Sequence, residues 1–196
     1  MTDLESLVRS RFEQSMSVAE KFFEAEAGRI AEACWAMARR FHQGGRLLAF
    51  GNGAWATDAQ HVSVEFVHPV IVGKRALPAI ALTNDSATLS GLMAREDSGM
   101  PYTRQLRVLA RPEDMAMGFS IDGYDKNVRA ALKLARQMRL LTLCLAGGVG
   151  LSGEIEVDFH FIIPSHDPFV IQETHETLYH ILWELVHIFF EHEGLL

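Results

Sequence analysis

Cysteine is scarce in this chain: its 196 residues contain two, Cys34 and Cys144. They do not form a CxxC spacing and both lie among apolar neighbours. That excludes a disulfide framework and leaves two small core residues in a reducing compartment. Basic charge is also in short supply. Eighteen Lys and Arg stand against 25 Asp and Glu, a net charge of −7 with a pI near 5.7. Such a balance argues against a nucleic-acid backbone as the main partner, which needs a basic footprint. A small anion held by local backbone dipoles stays open. No uncharged apolar run reaches the roughly 18 residues needed to span a bilayer, so no membrane partner is expected. The opening Met1-Thr2-Asp3-Leu4-Glu5 lacks a basic region followed by an apolar stretch, and the expected location is the cytoplasm. There is no internal repeat, low-complexity tract or linker composition. The length suits one domain with a substantial core, and 1–196 is read as a single domain.

What is present is a pattern of alternating periods. From Leu4 to His42, apolar residues recur at helical spacing (Leu7, Phe12, Met16, Ala19, Phe22, Phe23, then Ile30, Cys34, Met37, Ala38, Phe41). Gly44-Gly45 supplies a stop, so residues 1–45 are expected to form one or two long helices. Their many large apolar residues imply packing on a partner chain as well as on their own domain. Short apolar runs then alternate with helical segments. The expected strands are Arg46–Phe50, Ala79–Thr83, Met115–Phe119, Leu140–Leu145 and Phe159–Ile163. Helical segments are expected around His61, across Thr88–Leu109, over Lys126–Met138 and from Pro168 to His192. Near-continuous apolar strands alternating with helices predict an α/β fold, a parallel sheet covered on both faces.

The chemistry gathers after the first of these strands. Phe50-Gly51-Asn52-Gly53 is a tight glycine turn between a strand and a helix, which sets backbone N–H groups and a helix N-terminus at the carboxyl edge of the sheet. Such a place cradles anionic or polyhydroxylated ligands. His61 and Glu65 follow at i, i+4 and share one helix face. Spacing alone would make them an ordinary surface or interface pair. Late in the chain, Gln172 and His180 lie eight residues apart, a little over two helical turns. Gln172 by itself carries almost no information, and His180 beside Tyr179, Ile181 and Leu182 would by itself be a core or interface histidine. His175, Glu176 and His187 on the same helix are rival ligands. His42, His68, His160, His166 and His192 have no supporting pattern and are read as structural or solvated.

At Gly51-Asn52-Gly53, Asp58-Ala59-Gln60-His61 and Glu65 the chain resembles the sugar-isomerase (SIS) domain family, within it the phosphoheptose isomerases. Leu77-Pro78-Ala79-Ile80-Ala81-Leu82-Thr83-Asn84-Asp85 and Ile171-Gln172-Glu173-Thr174-His175 leading to His180 extend the resemblance over essentially the whole chain. It implies a three-layer α/β/α sandwich with a five-stranded parallel sheet, N-terminal helices and a long C-terminal helix. It also implies a homotetramer with active sites at subunit junctions. His61, Glu65, Gln172 and His180 match the family's metal and catalytic positions. One zinc per subunit is therefore expected on these four, with Glu65 and His180 as acid and base. Gly51, Asn52, Gly53, Asp97, Ser120 and Gln172 are the expected substrate contacts. The implied reaction is aldose–ketose isomerisation of sedoheptulose 7-phosphate or a related sugar through an enediol. Two of these jobs conflict, since a zinc-bound carboxylate is a poorer base.

The departures from the family fall on its phosphate-binding parts. The first turn continues as Gly53-Ala54-Trp55, an indole where the family has a small hydroxyl. The turn after the third strand reads Ser120-Ile121-Asp122-Gly123-Tyr124-Asp125, where the family is rich in Ser and Thr. A carboxylate within about 4 Å of a phosphate adds up to ~4 kcal/mol of repulsion per charge pair at a partly screened site. Asp122 and Asp125 would weaken a phosphate if they face the pocket, whereas Asp125 before Lys126 could instead cap the following helix. Gly147-Gly148-Val149-Gly150 lacks a lysine and is read as a turn. Two other readings follow: an isomerase for a sugar without the usual phosphate, and a non-catalytic scaffold like the family member that associates with the bacterial replication initiator.

Overall fold

The computed structural model describes residues 3–94, 100–148 and 155–192. The chain opens with one unbroken helix, α1 (Leu4–His42), capped by the Asp3 carboxylate on the Glu5 N–H and ended at Gln43 before Gly44 at φ 85°. The expectation of one or two helices resolves to one, because no breaker interrupts the apolar period. Then come β1 (Leu47–Gly51), α2 (Ala54–Val67), β2 (Ala79–Ala81), α3 (Ser86–Met93), α4 (Pro101–Leu109), β3 (Met115–Phe119), α5 (Lys126–Gln137), β4 (Leu141–Gly147), β5 (Phe159–Ile163) and α6 (Pro168–Glu191). The region expected to be helical over 88–109 is two helices, with residues 95–99 outside those described. Asp97 is among them, and Val149 and Gly150 likewise lie outside the described residues.

All five strands pair in parallel in the order β2-β1-β3-β4-β5. The three inner strands are buried throughout, which explains their near-continuous apolar composition. Side chains alternate between faces. Leu47, Ala49, Met115, Met117, Phe119, Leu143 and Leu145 enter a core with α1, α2 and α6. Leu48, Phe50, Ala116, Cys144 and Ala146 meet Tyr102, Leu106, Val128 and Leu132 from α4 and α5. The molecule is thus the three-layer α/β/α sandwich that the resemblance implies. Cys34 and Cys144 are unpaired core residues, and burial pushes both thiols up to about 12. Among the described residues, no helix is long and apolar enough to cross a membrane.

In the order 2-1-3-4-5 the chain leaves β1 toward one layer and β3 toward the other. A crevice opens between the carboxyl ends of these two neighbours, the usual ligand position in a doubly wound sheet.

Candidate functional site

Two groups of side chains stand out, one at this edge of the sheet and one along the helix that follows β1. The first surrounds the turns at the ends of β1 and β3. Gly51 has no room for a side chain, since a Cβ there would lie 2.5 Å from the Trp55 carbonyl oxygen. Gly53 sits at φ 57°, left-handed backbone that favours glycine, and starts α2. Tyr102 on α4 donates its hydroxyl to the Gly51 carbonyl and, at 3.2 Å, to Asn52 Oδ1. Its phenol is pushed up to about 12, chiefly by burial and then by the charge of Asp125. Asn52 and Asn127 exchange amide hydrogen bonds of 2.9 and 2.8 Å across the crevice.

Asp125 lies at the centre of this group. Its Oδ1 accepts from Asn52 Nδ2 at 2.8 Å, and its Oδ2 accepts from the buried Ser120 hydroxyl. Asp125 occupies the N-cap position of α5 but its side chain makes no capping bond. The capping expectation is therefore corrected: Asn52 and Ser120 offer stronger donors than the helix N-terminus. Asp122 is turned back onto its own loop, where Oδ1 accepts from the Tyr124 N–H at 2.9 Å. Ile121 is exposed. The Trp55 indole does not fill the crevice. It is buried in the core, edge-on to His175 with ring centroids 5.4 Å apart.

The second group is the seam between α2 and α6, which run alongside each other. Contacts step in register at three- and four-residue intervals, as parallel helices require. Gln172 Nε2 donates to the Ala54 carbonyl (3.2 Å), Thr57 Oγ1 (3.1 Å) and Asp58 Oδ1 (3.1 Å). A turn further, Tyr179 and Glu176 face His61. A turn beyond that, Trp183 Nε1 donates to the Glu65 carbonyl at 2.8 Å. His61, Glu176 and His180 each offer a ligand atom, all within 4.8 Å of one another. Glu65 is nine-tenths buried, and its Oε1 lies 3.3 Å from His61 Nε2. Glu176 Oε1 is 3.5 Å from His61 Nδ1.

Tyr179 sets the proton on His61. Burial first, then Asp58, Glu176 and Glu65, hold the Tyr179 phenol far above its ordinary range, so it stays protonated. Its hydroxyl lies 2.8 Å from His61 Nδ1, and because the Glu65 carboxylate at Nε2 can only accept, the hydroxyl is assigned as the donor to Nδ1. The ring proton therefore sits on Nε2, the nitrogen facing Glu65, an assignment made from the partners.

The structure thus brings His61 to Glu65 on one side and to His180 on the other. Gln172 is held one helical turn earlier, at Asp58. Gly51, Asn52, Gly53 and Ser120 meet around Asp125. Of the rival ligands, Glu176 joins the cluster. His187 turns its two nitrogens to the Trp183 and Arg75 carbonyls at 2.8 and 2.9 Å. His175 is fully buried, 3.9 Å from Asp58 Oδ2, and its ring nitrogens have no hydrogen-bond partner among the described residues. Tyr102, Asn127 and Tyr179 escaped sequence reasoning. Only Tyr179 had a usable signal, its i+7 spacing from Gln172 on the seam of α6.

A glycine turn at the switch point of a doubly wound sheet, with a His/Glu seam along the helix that follows it, is the arrangement that the resemblance to sugar-isomerase domains implies. A model of the SIS domain matches residues 12–147, and the chain belongs to that family. It is 37% identical over 184 residues to a phosphoheptose isomerase of Thermodesulfovibrio yellowstonii, covering 94% of this chain and 92% of that protein. A phosphoheptose isomerase of Aquifex aeolicus is 36% identical over 179 residues, 91% of this chain and 94% of its own. Among solved structures, a phosphoheptose isomerase from Francisella tularensis superposes with a TM-score of 0.84 at 28% identity, over 95% of this chain and 98% of that one.

Proposed function

We propose that this protein is an aldose–ketose isomerase of the phosphoheptose isomerase type, acting on sedoheptulose 7-phosphate or a related sugar. The observation that carries the reading is the α2–α6 seam in which His61 meets Glu65 on one side and Glu176 and His180 on the other, in a chain whose relatives bear that enzyme's name over nearly their full length. The glycine turn lies about 11 Å along α2 from His61, at 1.5 Å per residue. That is the reach of a sugar chain with its end group.

In this reading Glu65 removes the proton from the carbon next to the carbonyl and returns it to the neighbouring carbon. His180 moves the second proton between the two oxygens. Burial and the His61 Nε2–H fix where the Glu65 carboxylate points. Zinc, one per subunit, is proposed on His61, His180 and Glu176, which fit it: two imidazole nitrogens, one carboxylate oxygen and a fourth position left open. Bound there, zinc would supply Lewis acidity toward the sugar carbonyl. Glu176 then takes the carboxylate share and Glu65 stays free as a base, which removes the conflict between the two roles. We also propose a cytoplasmic homotetramer, a reading supported by two unpaired cysteines and by the apolar stripe of α1.

Proton exchange tests the reaction. In deuterated water the wild type should incorporate deuterium at the carbon next to the carbonyl of a heptulose while interconverting ketose and aldose. Glu65→Gln should slow both by about 10²–10⁴-fold, the usual worth of a positioned base. Full exchange in that variant sinks the assignment.

A further inference from the structure

We infer that Asp125 sets the end-group specificity of this site, which receives an uncharged, hydroxylated sugar terminus in place of a phosphate ester. The inference rests on the isomerase reading above and narrows its substrate from the 7-phosphate to the related sugars that end in a hydroxyl.

A glycine turn opening a helix at a switch point ordinarily attracts an anion, through its N–H groups and the donor side chains around them. Here those side chains already serve an anion of the chain's own. The Asn52 amide spends its donors on Asp125 Oδ1 (2.8 Å) and Asn127 Oδ1 (2.9 Å). The Ser120 hydroxyl donates to Asp125 Oδ2 while accepting from the Gly123 N–H at 2.9 Å. The Tyr102 hydroxyl is turned to Gly51 and Asn52 oxygens. Asp125 therefore sets its charge between the two turns at the switch point, with both oxygens held, by one donor from the end of β1 and one from the end of β3.

Charge compensation is missing from these turns. Residues 51–53 and 120–125 include no Lys or Arg but do include a second carboxylate, Asp122. Lys126 is exposed at the start of α5. The Arg129 guanidinium faces the Gly123 carbonyl (3.4 Å) and the Tyr124 ring (5.9 Å to its centroid). A phosphate dianion entering would meet a like charge and find the side-chain donors engaged. A terminal hydroxyl meets no such repulsion and can donate to a carboxylate oxygen, an arrangement that charge strengthens.

The test compares two unreactive ligands, sedoheptulose reduced to its heptitol and the same heptitol as the 7-phosphate, titrated calorimetrically into wild type, Asp125→Ser and Asp125→Asn. The wild type should bind the heptitol at least as tightly as its phosphate. Both variants should shift the affinity ratio toward the phosphate by at least tenfold. Asp125→Asn keeps the side chain's size and reads charge alone should Asp125→Ser fail to fold. Preference of the wild type for the phosphate, a shift below tenfold, or no binding of either ligand overturns the inference. Because heptitols cannot isomerise, the expected order of binding without any turnover of sedoheptulose would fell the isomerase reading and leave the end-group assignment standing.

Discussion

His61 has two ring nitrogens and three neighbours competing for them. Tyr179 donates to Nδ1, Glu176 lies 3.5 Å from that same atom, and Glu65 faces Nε2. The competition makes the metal reading testable residue by residue. His61→Ala, His180→Ala and Glu176→Gln should each weaken zinc binding by more than about tenfold, since even outer partners of a ligand are worth 10–100-fold, while Gln172→Ala, which bonds Ala54, Thr57 and Asp58 and no candidate ligand, stays within about threefold. Tyr179→Phe should tighten zinc, since it frees Nδ1 and removes no candidate ligand. Competition with a chromogenic chelator measures all five. Equal losses in Gln172→Ala and Glu176→Gln would return Gln172 to the ligand set.

At the scale of elements, the central strands and the helices packed on them carry both the fold and its response to alkali. Cys34 on α1 and Cys144 on β4 ionise only near 12 in the folded chain against 9.0 for an ordinary thiol, and Tyr102 near 12 against 10.0. All three are raised, so the folded state holds protons that the unfolded state releases. Their stabilisation is complete below about pH 9 and is lost as pH climbs toward 12, by about 1.4 kcal/mol per pH unit for each group titrating only when unfolded. Urea midpoints should therefore be level near neutrality and fall from pH 9 upward. Cys34→Ala with Cys144→Ala should delay the fall to about pH 10, where tyrosine begins to ionise when unfolded. An unchanged onset in the double variant would assign the loss elsewhere. The same strands show why so much of the fold was legible: a parallel strand buried on both faces must be apolar throughout, and Met115–Phe119 and Phe159–Ile163 emerged with their bounds intact. Helix periodicity put His61 and Glu65 on one face of α2 and Gln172 and His180 on one side of α6, and the family resemblance alone implied that the two faces meet. It could not reveal that Asn52 reaches Asp125, 73 residues away, or that Trp55 turns inward to His175, because such partners are chosen by tertiary packing. Glu176 was visible as a rival and Gln172 as a ligand, yet which of them meets His61 depends on the axial register of α2 against α6, a quantity no local spacing contains.

For the whole molecule, the feature that a single chain leaves unexplained is the outer end of α1. Its 39 residues span about 58 Å at 1.5 Å per residue, against about 32 Å for twice the radius of gyration expected for a domain of this length. The overhang carries Leu4, Leu7, Val8, Phe12 and Met16, each more than half exposed and spaced as one helical stripe. Covering such side chains would contribute about 1.5–3 kcal/mol each, before the cost of association is subtracted. Charge points the overhang toward the site-bearing layer, because Arg11 pairs with Glu173 at 2.9 Å, next to Gln172 on α6. Assembly through α1 would therefore fix the start of the helix that brings Glu176, Tyr179 and His180 to His61. If the proposed tetramer forms, Leu7→Glu combined with Phe12→Glu should convert it into smaller species by sedimentation velocity and keep the far-ultraviolet circular dichroism of the sandwich, since neither side chain enters its core. Turnover should fall with dissociation, and dilution of the wild type through its assembly midpoint should reproduce that fall. A wild type that sediments as a monomer at micromolar concentration would refute the tetramer, and dissociated chains with full turnover would show that α2 and α6 hold their register without α1.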